Sequence, residues 1–258
     1  MKQLTEQQIQ DNYLKLRSII TDTFTGERLE KLNTMYDHFE NRMVLAPASA
    51  KEHYHNACVG GYVEHVIHIV EMSQQVRDLW LQNGADINFT NEELIFAALH
   101  HDLGKVGDME HDYYVINESE WHRKNQGKIY NHNPELTYMT VTDRAIFILQ
   151  HFQIPMTENE YMGLKLTDGM YEEANKKYLM TFLPETGLRG HIARILHQAD
   201  MMATYIEGDQ WEQAGQVGKK KVAKSVNNIK AAVKTEVETK LTGDSPKDLF
   251  DELFGDKK

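Results

Sequence analysis

The sequence predicts an all-α protein. Apolar residues recur at helical spacing along most of the chain, strand-like alternation is nearly absent, and only five of the 258 residues are proline. The expected architecture is one main helical domain over residues 46–208. An N-terminal helical pair over 1–45 packs on it, and a C-terminal helical extension over 209–242 and a flexible tail over 243–258 follow.

The elements follow from the pattern in order. From Glu6 to Ile20, the residues Ile9, Tyr13, Leu16 and Ile20 fall one helical turn apart. Leu29, Leu32, Tyr36 and Phe39 do the same within 27–44. Ala46-Pro47-Ala48-Ser49 breaks the pattern, and Gly60-Gly61 opens a long helix over 61–82. Its stripe is His65, Ile69, Met72, Val76 and Leu79, and Asn83-Gly84 ends it. Thr90 is a suitable N-cap for the next helix, with Glu92 and Glu93 in the first turn, where carboxylates offset the exposed amide groups. Residues 107–135 are polar and irregular and read as a long functional loop with room for one short element. Helices return over 140–152, 158–167 and 188–207, then in more polar form over 209–240.

Composition bounds function before any motif does. With 41% apolar residues the chain can build a core. Its formal net charge of −11 repels a long phosphate backbone at a distance, although a bound divalent cation can reverse the field locally. Cys58 is the one cysteine, so no intrachain disulfide can form, which suits a reducing cytoplasm. It is expected to be a small buried residue rather than a nucleophile. The opening Met1–Gln10 has no apolar stretch of signal-peptide type, and no segment reaches the roughly 20 apolar residues of a membrane span. A cytoplasmic protein without a membrane partner is expected.

The chemistry concentrates in Leu94–Lys105, LIFAALHHDLGK. Ile95, Leu99 and Asp102 lie along one line of a helix, and Leu94, Ala98 and His101 along the next. Both polar residues therefore extend stripes that face the core, where a carboxylate is costly unless paired or bound to a metal. His65 lies on the core stripe of the preceding helix. Asp200 lies within ILHQADMMATYI, as a metal ligand or a member of a buried salt bridge. A histidine, a His-Asp pair and an aspartate converging from three helices suit Mn²⁺, Fe²⁺, Zn²⁺, Co²⁺ or Ni²⁺ better than Ca²⁺.

These motifs resemble the HD-domain superfamily of metal-dependent phosphohydrolases. Pro47-Ala48-Ser49, Tyr54-His55-Asn56-Ala57 and Gly60-Gly61-Tyr62-Val63-Glu64-His65 are similar to the branch that includes HD-type 3′-5′ exoribonucleases. Leu99-His100-His101-Asp102-Leu103-Gly104-Lys105 and Leu196-His197-Gln198-Ala199-Asp200 match the remaining signatures, so the likeness spans residues 40–206. The resemblance implies an HD-type helical fold and a metal held by His65, His101, Asp102 and Asp200. It implies that Lys105 faces substrate phosphate and that Asp102 holds the metal or takes a proton. Gln126-Gly127-Lys128-Ile129-Tyr130-Asn131-His132 matches the place of an additional ligand, which makes His132 a candidate for catalysis or a second metal. A His-His-Gly run usual in the family is replaced by Thr167-Asp168-Gly169, so Asp168 would offer an oxygen ligand there, favouring Mg²⁺ or Mn²⁺. His55, Arg123 and Lys124 are the remaining substrate-binding candidates, and Glu64 could act beside His65. His151, His191 and His197 are expected to be structural or surface residues.

The implied reaction is hydrolysis of a phosphate ester of a nucleotide or short nucleic-acid end by metal-activated water. Two alternatives stand beside it: an HD-fold di-iron oxygenase, weakened by Thr167-Asp168, and a nucleotide-binding regulatory protein. The basic run Lys219-Lys220-Lys221 with Lys224 is expected to be a solvated helix face. After the break Gly243-Asp244-Ser245-Pro246, the segment 247–254, KDLFDELF, resembles peptides by which phage replication and transcription proteins dock on a sliding clamp. It makes a clamp the candidate partner and a phage the candidate source.

Overall fold

The fold is all-α, as the periodicity predicts. The computed structural model describes residues 3–181, 183 and 185–214, with side chains through 210. The sequence features at 219–224 and 243–258, the docking segment 247–254 and most of the 209–242 extension lie outside the described residues.

Helix α1, Glu6–Thr23, starts in a capping box: Thr5 accepts from the Gln8 amide, and the Gln8 side chain accepts from the Thr5 amide. Its buried residues are Ile9, Tyr13, Leu16 and Ile20, the four that the spacing singles out. Helix α2, Gly26–Leu45, buries Leu32, Met35, Tyr36, Phe39 and Met43. Both helices contribute to the same apolar core as the rest of the fold.

Helix α3, Gly61–Gln82, is the hub. It packs on α1, α2, the helix α4, Asn91–His100, and the last helix described below. Contact on several sides explains why its middle reads as nearly continuous apolar sequence: Tyr62, Val63, Val66, Ile67, Ile69, Val70 and Val76 are all buried. Leu79, placed on the core stripe by periodicity, is instead 57% exposed, and the neighbouring Trp80 makes the packing contact at that turn, donating Nε1–H to Gln198 Oε1 at 2.9 Å. Thr90 caps α4 and forms a capping box with Glu93.

The segment 107–135 is more ordered than a loop. Strand β1, Tyr114–Ile116, helix α5, Glu120–Gln126, and strand β2, Tyr130–His132, form an antiparallel ribbon with a helical tip. Three-residue strands are too short to show alternation, which is why periodicity misses them. Gly127, at φ 59°, ends α5 and returns the chain. The ribbon is tied to the segment after α2, where Ala50 O accepts from the Ile129 and Tyr130 amides at 2.9 and 3.1 Å. A small second core of Leu4, Ile9, Ala57, Cys58, Ile129 and Tyr130 lies beneath it.

Helices α6, Val141–His151, and α7, Glu158–Lys165, follow, then two 3-10 turns and the short α8, Lys176–Leu179. Helix α9, Ile192–Ala214, packs on α3, α4 and α7. It runs unbroken through the 208/209 boundary drawn from sequence, since a rise in polarity marks the end of burial and not of the helix. Among the described residues no helix is long and apolar enough to cross a membrane.

One buried ion pair joins the N-terminal helices to the rest. Arg28 Nη2 donates to Glu160 Oε1 at 2.7 Å, and Glu160 is fully buried. The guanidinium also lies 4.3 Å from the Phe96 ring centroid. Burial holds the Glu160 carboxyl above its ordinary value despite the arginine. Arg28→Met keeps the apolar stem but leaves that carboxyl unpaired. It should cost about 3–5 kcal/mol in urea denaturation, and adding Glu160→Gln should recover most of the loss.

Candidate metal centre

The centre forms where α3, α4 and α9 meet. His65 is the fifth residue of α3, and its height is set by the turn before it. Gly60 caps α3 at φ 78°, and a Cβ on Gly61 would fall 2.1 Å from Asn56 O. The 55–60 turn therefore lies directly on the first turn of α3 and brings the His55 ring within 4.7 Å of the His65 ring.

Helix α4 ends at His100, one residue before the pair that periodicity places on its faces. His101 keeps helical dihedrals, whereas Asp102, at φ −107° and ψ 10°, leaves the helix. The cause is the 3-10 turn Leu103–Val106, in which Gly104 passes so close to α6 that a Cβ would lie 2.1 Å from Val141 O. The same turn swings Lys105 back, so that its Nζ donates to Asp102 Oδ2 at 2.5 Å.

The neighbouring histidines 100 and 101 have different fates. Each ring places Nδ1 2.7 Å from a carbonyl of its own helix, Phe96 O for His100 and Ala98 O for His101. A carbonyl only accepts, so Nδ1 carries a proton in both rings, and in a neutral ring the lone pair is then at Nε2. His100 Nε2 accepts from the Tyr36 hydroxyl at 3.3 Å, and burial pushes this ring down to about 3, which makes it a neutral core residue. His101 Nε2 is buried without a hydrogen-bond partner and stands 3.6 Å from Asp102 Oδ2.

His65 Nε2 lies 3.5 Å from Asp200 Oδ1 and 3.7 Å from Asp102 Oδ2. Its ring stands 5.4 Å from that of His101. Atoms about 2.1 Å from one cation stand about 3.0–3.6 Å apart, so this spacing fits a shared ion with little movement. Ligand atoms of His65, His101 and Asp102 lie within 4.8 Å of one another, and those of His55, His65 and Glu207 do likewise; Asp200 belongs to neither group and meets the centre at His65. Helix α9 brings Asp200 in from a partly open side. The flanking Met201, Met202, Tyr205 and Ile206 are exposed, so the apolar run around Asp200 is not a buried helix face.

The protonation pattern in the metal-free chain belongs to a tightly coupled cluster. Burial opposes charge on His65, but Glu207 and Asp200 outweigh it and push the ring up to about 10. Burial would raise Asp102, yet Lys105, His101 and His65 hold it below the usual carboxylate range. Asp200 is also held low, with burial overcome by its bond to His65 and by His101. Burial likewise opposes the Lys105 charge, and Asp102 and Tyr114 more than compensate. His55 is pushed down to about 4 by burial, His65 and Lys105, and its Nε2 has no hydrogen-bond partner.

The other candidates sit around this cluster. Asp168 receives a hydrogen bond from Thr142 Oγ1 at 3.2 Å, and burial, then Asp102, push its carboxyl up. The turn carrying it is tied to α9, since His197 Nδ1 donates to Thr167 O at 2.8 Å. His132 lies outside both groups of ligand atoms. It is exposed at the end of β2 and packs on Tyr113 and Tyr114, with centroids 4.9 and 5.6 Å away. On α5, Lys124 pairs with Glu120 at 2.9 Å, and neither it nor Arg123 shares an ion pair with the cluster among the described residues.

Glu207 and Tyr114 are absent from the sequence reading, and His68, which lies near the site in sequence, matches no position of the resemblance. Glu207 was legible in principle: it follows Asp200 by two helical turns and so shares its face. Tyr114 depends on the unforeseen ribbon, and it is close enough to Lys105 for the two groups to influence each other's protonation.

No protein-family model matches the chain, and no curated protein or solved structure matches it either. The centre therefore has to be judged on its own chemistry. A buried imidazole nitrogen with no hydrogen-bond partner, beside the Asp102 carboxylate and a second imidazole, fits a divalent transition metal.

Gly104 and Gly208 offer a paired test of this geometry. Gly104→Ala should lose about 1–3 kcal/mol in chemical denaturation, because the new methyl meets backbone that cannot yield. Gly208 lies within α9, and a Cβ there would meet nothing within 4 Å. Gly208→Ala should gain about 0.4–1 kcal/mol.

Proposed function

We propose that the protein is a metal-dependent phosphohydrolase of HD type, acting on a phosphate ester of a nucleotide or a short nucleic-acid end. The observation that carries this reading is His101 Nε2: buried, unpartnered, and facing Asp102 in a cluster that also contains His65 and Asp200. The motif resemblance supports the reaction class.

In this reading His65, His101, Asp102 and Asp200 hold the cation. When bound, such a cation polarises a phosphoryl oxygen and acidifies a coordinated water. Lys105 supplies a positive charge beside the carboxylates, suited to the non-bridging oxygens of a phosphate. Asp102 balances that charge in the free chain. Tyr114 and His132, paired across the ribbon, offer aromatic surface at the rim, where a nucleobase could lie. Asp168 is available to a second cation of the Mg²⁺ or Mn²⁺ kind.

The deciding experiment is a screen of the purified full chain with Mn²⁺, Mg²⁺, Ni²⁺, Fe²⁺, Co²⁺ and Zn²⁺. Its substrates are nucleoside phosphates, cyclic dinucleotides and short RNA. Turnover is expected with at least one pair. His101→Ala and Asp102→Ala should each lose metal and activity together, by more than the roughly 10–100-fold typical of removing an orienting partner. A folded double variant that still binds metal and turns over substrate would refute the site.

A further inference from the structure

We infer that Glu207 is a positioning residue for the metal centre, fixing the His65 ring so that Nε2 is offered to the cation. This rests on the metal-centre reading above and assigns a function to a side chain outside the ligand set. Glu207 is 2% exposed. Its Oε2 lies 2.9 Å from His65 Nδ1 and its Oε1 lies 2.6 Å from His68 Nδ1. An ionised carboxylate only accepts, so His65 must present N–H at Nδ1, and a neutral His65 keeps its lone pair at Nε2. That nitrogen is the one beside Asp200 and Asp102.

The geometry is that of a two-point clamp. His65 and His68 are one turn apart on α3, and Glu207 reaches both from α9, two turns beyond Asp200. Holding both carboxylate oxygens fixes the plane of the group, which a single hydrogen bond would leave free to rotate. His68, with a side chain 35% exposed, closes the clamp from the solvent side. The contrast with His101 is informative. There the ring is set by a backbone carbonyl, which no substitution removes. For His65 the same task falls to a side chain, so the affinity of the centre is adjustable at position 207. Acceptors behind metal-bound imidazoles also raise the basicity of the ring, and their loss typically weakens metal binding about 10–100-fold.

The test is calorimetric titration of the full chain with Mn²⁺, alongside ¹⁵N NMR of the histidine rings in the metal-free protein. Glu207→Ala should bind Mn²⁺ about 10–100-fold more weakly, with the Nδ1–H signal of His65 shifted. Glu207→Gln keeps an oxygen acceptor but not the charge. It should retain the Nδ1–H hydrogen bond of His65 and weaken binding less than Glu207→Ala does, a graded rescue that a merely structural role would not produce. Wild-type protein that binds neither Mn²⁺ nor, in the same titration, Fe²⁺, Co²⁺, Ni²⁺, Zn²⁺ or Mg²⁺ would sink the metal centre and this inference together. Wild-type binding with affinity unchanged in folded Glu207→Ala would overturn the inference alone. Should Glu207→Ala fail to fold, Glu207→Gln decides, and affinity equal to wild type would overturn the assignment.

Discussion

The structure turns on a charge problem. Asp102 and Asp200 both approach His65 Nε2, at 3.7 and 3.5 Å, where protein has displaced much of their water. Two carboxylates in such a place repel each other, and each has lost hydration worth several kcal/mol. They persist because positive charge faces them: Lys105 at 2.5 Å from Asp102, and His65 protonated in the metal-free chain. A divalent cation would meet the same demand more directly and release the His65 proton. The convergence of α3, α4 and α9 makes this concentration of charge possible, and the apolar core around it keeps the three helices from drifting apart.

That core also explains how an unpartnered ring nitrogen is kept at hand. His100 and His101 share sequence, helix and tautomer, yet one completes its hydrogen bonds inside the core and the other does not. Leaving a buried nitrogen without a partner costs on the order of 1–3 kcal/mol. A fold held together by Phe96, Leu99, Tyr36 and their neighbours can sustain that cost. A site on loops alone could not hold the nitrogen within a few tenths of an ångström of where it is needed.

Much of this was legible in the sequence, for physical reasons. Amphipathic helices announce themselves by period, and the buried stripe of α1 is the set Ile9, Tyr13, Leu16 and Ile20 that spacing selects. Polar residues on core stripes mark a cost that something must offset, and this brings forward His65, His101, Asp102 and Asp200. Three things were not legible. The β1–β2 ribbon is too short to carry a period. The end of α4 at His100 depends on how tightly Gly104 meets α6, a tertiary contact with no local signature. The exposure of Met201, Met202, Tyr205 and Ile206 defeats the assumption that an apolar run is a buried one. Each failure arises where long-range packing rather than local pattern decides the outcome.

The walls of the centre divide its tasks. Three helices supply the ligand-type side chains, and their rings are oriented by a helix carbonyl at His101 and by a buried carboxylate at His65. Another side is the ribbon, where Tyr114 lies near Lys105 and His132 stands in register with Tyr114. Rigid helices suit coordination, which tolerates little positional error, whereas a short ribbon can adjust to the shape of a bound group. In a chain of net charge −11, an anionic substrate is repelled from most of the surface. With a divalent cation bound beside Lys105, the centre would be the place where that repulsion is reversed. On the proposed reading, preference for a small phosphate over a long polyanion would follow from charge, because only a small anion can reach Lys105 without bringing further charge against the acidic surface.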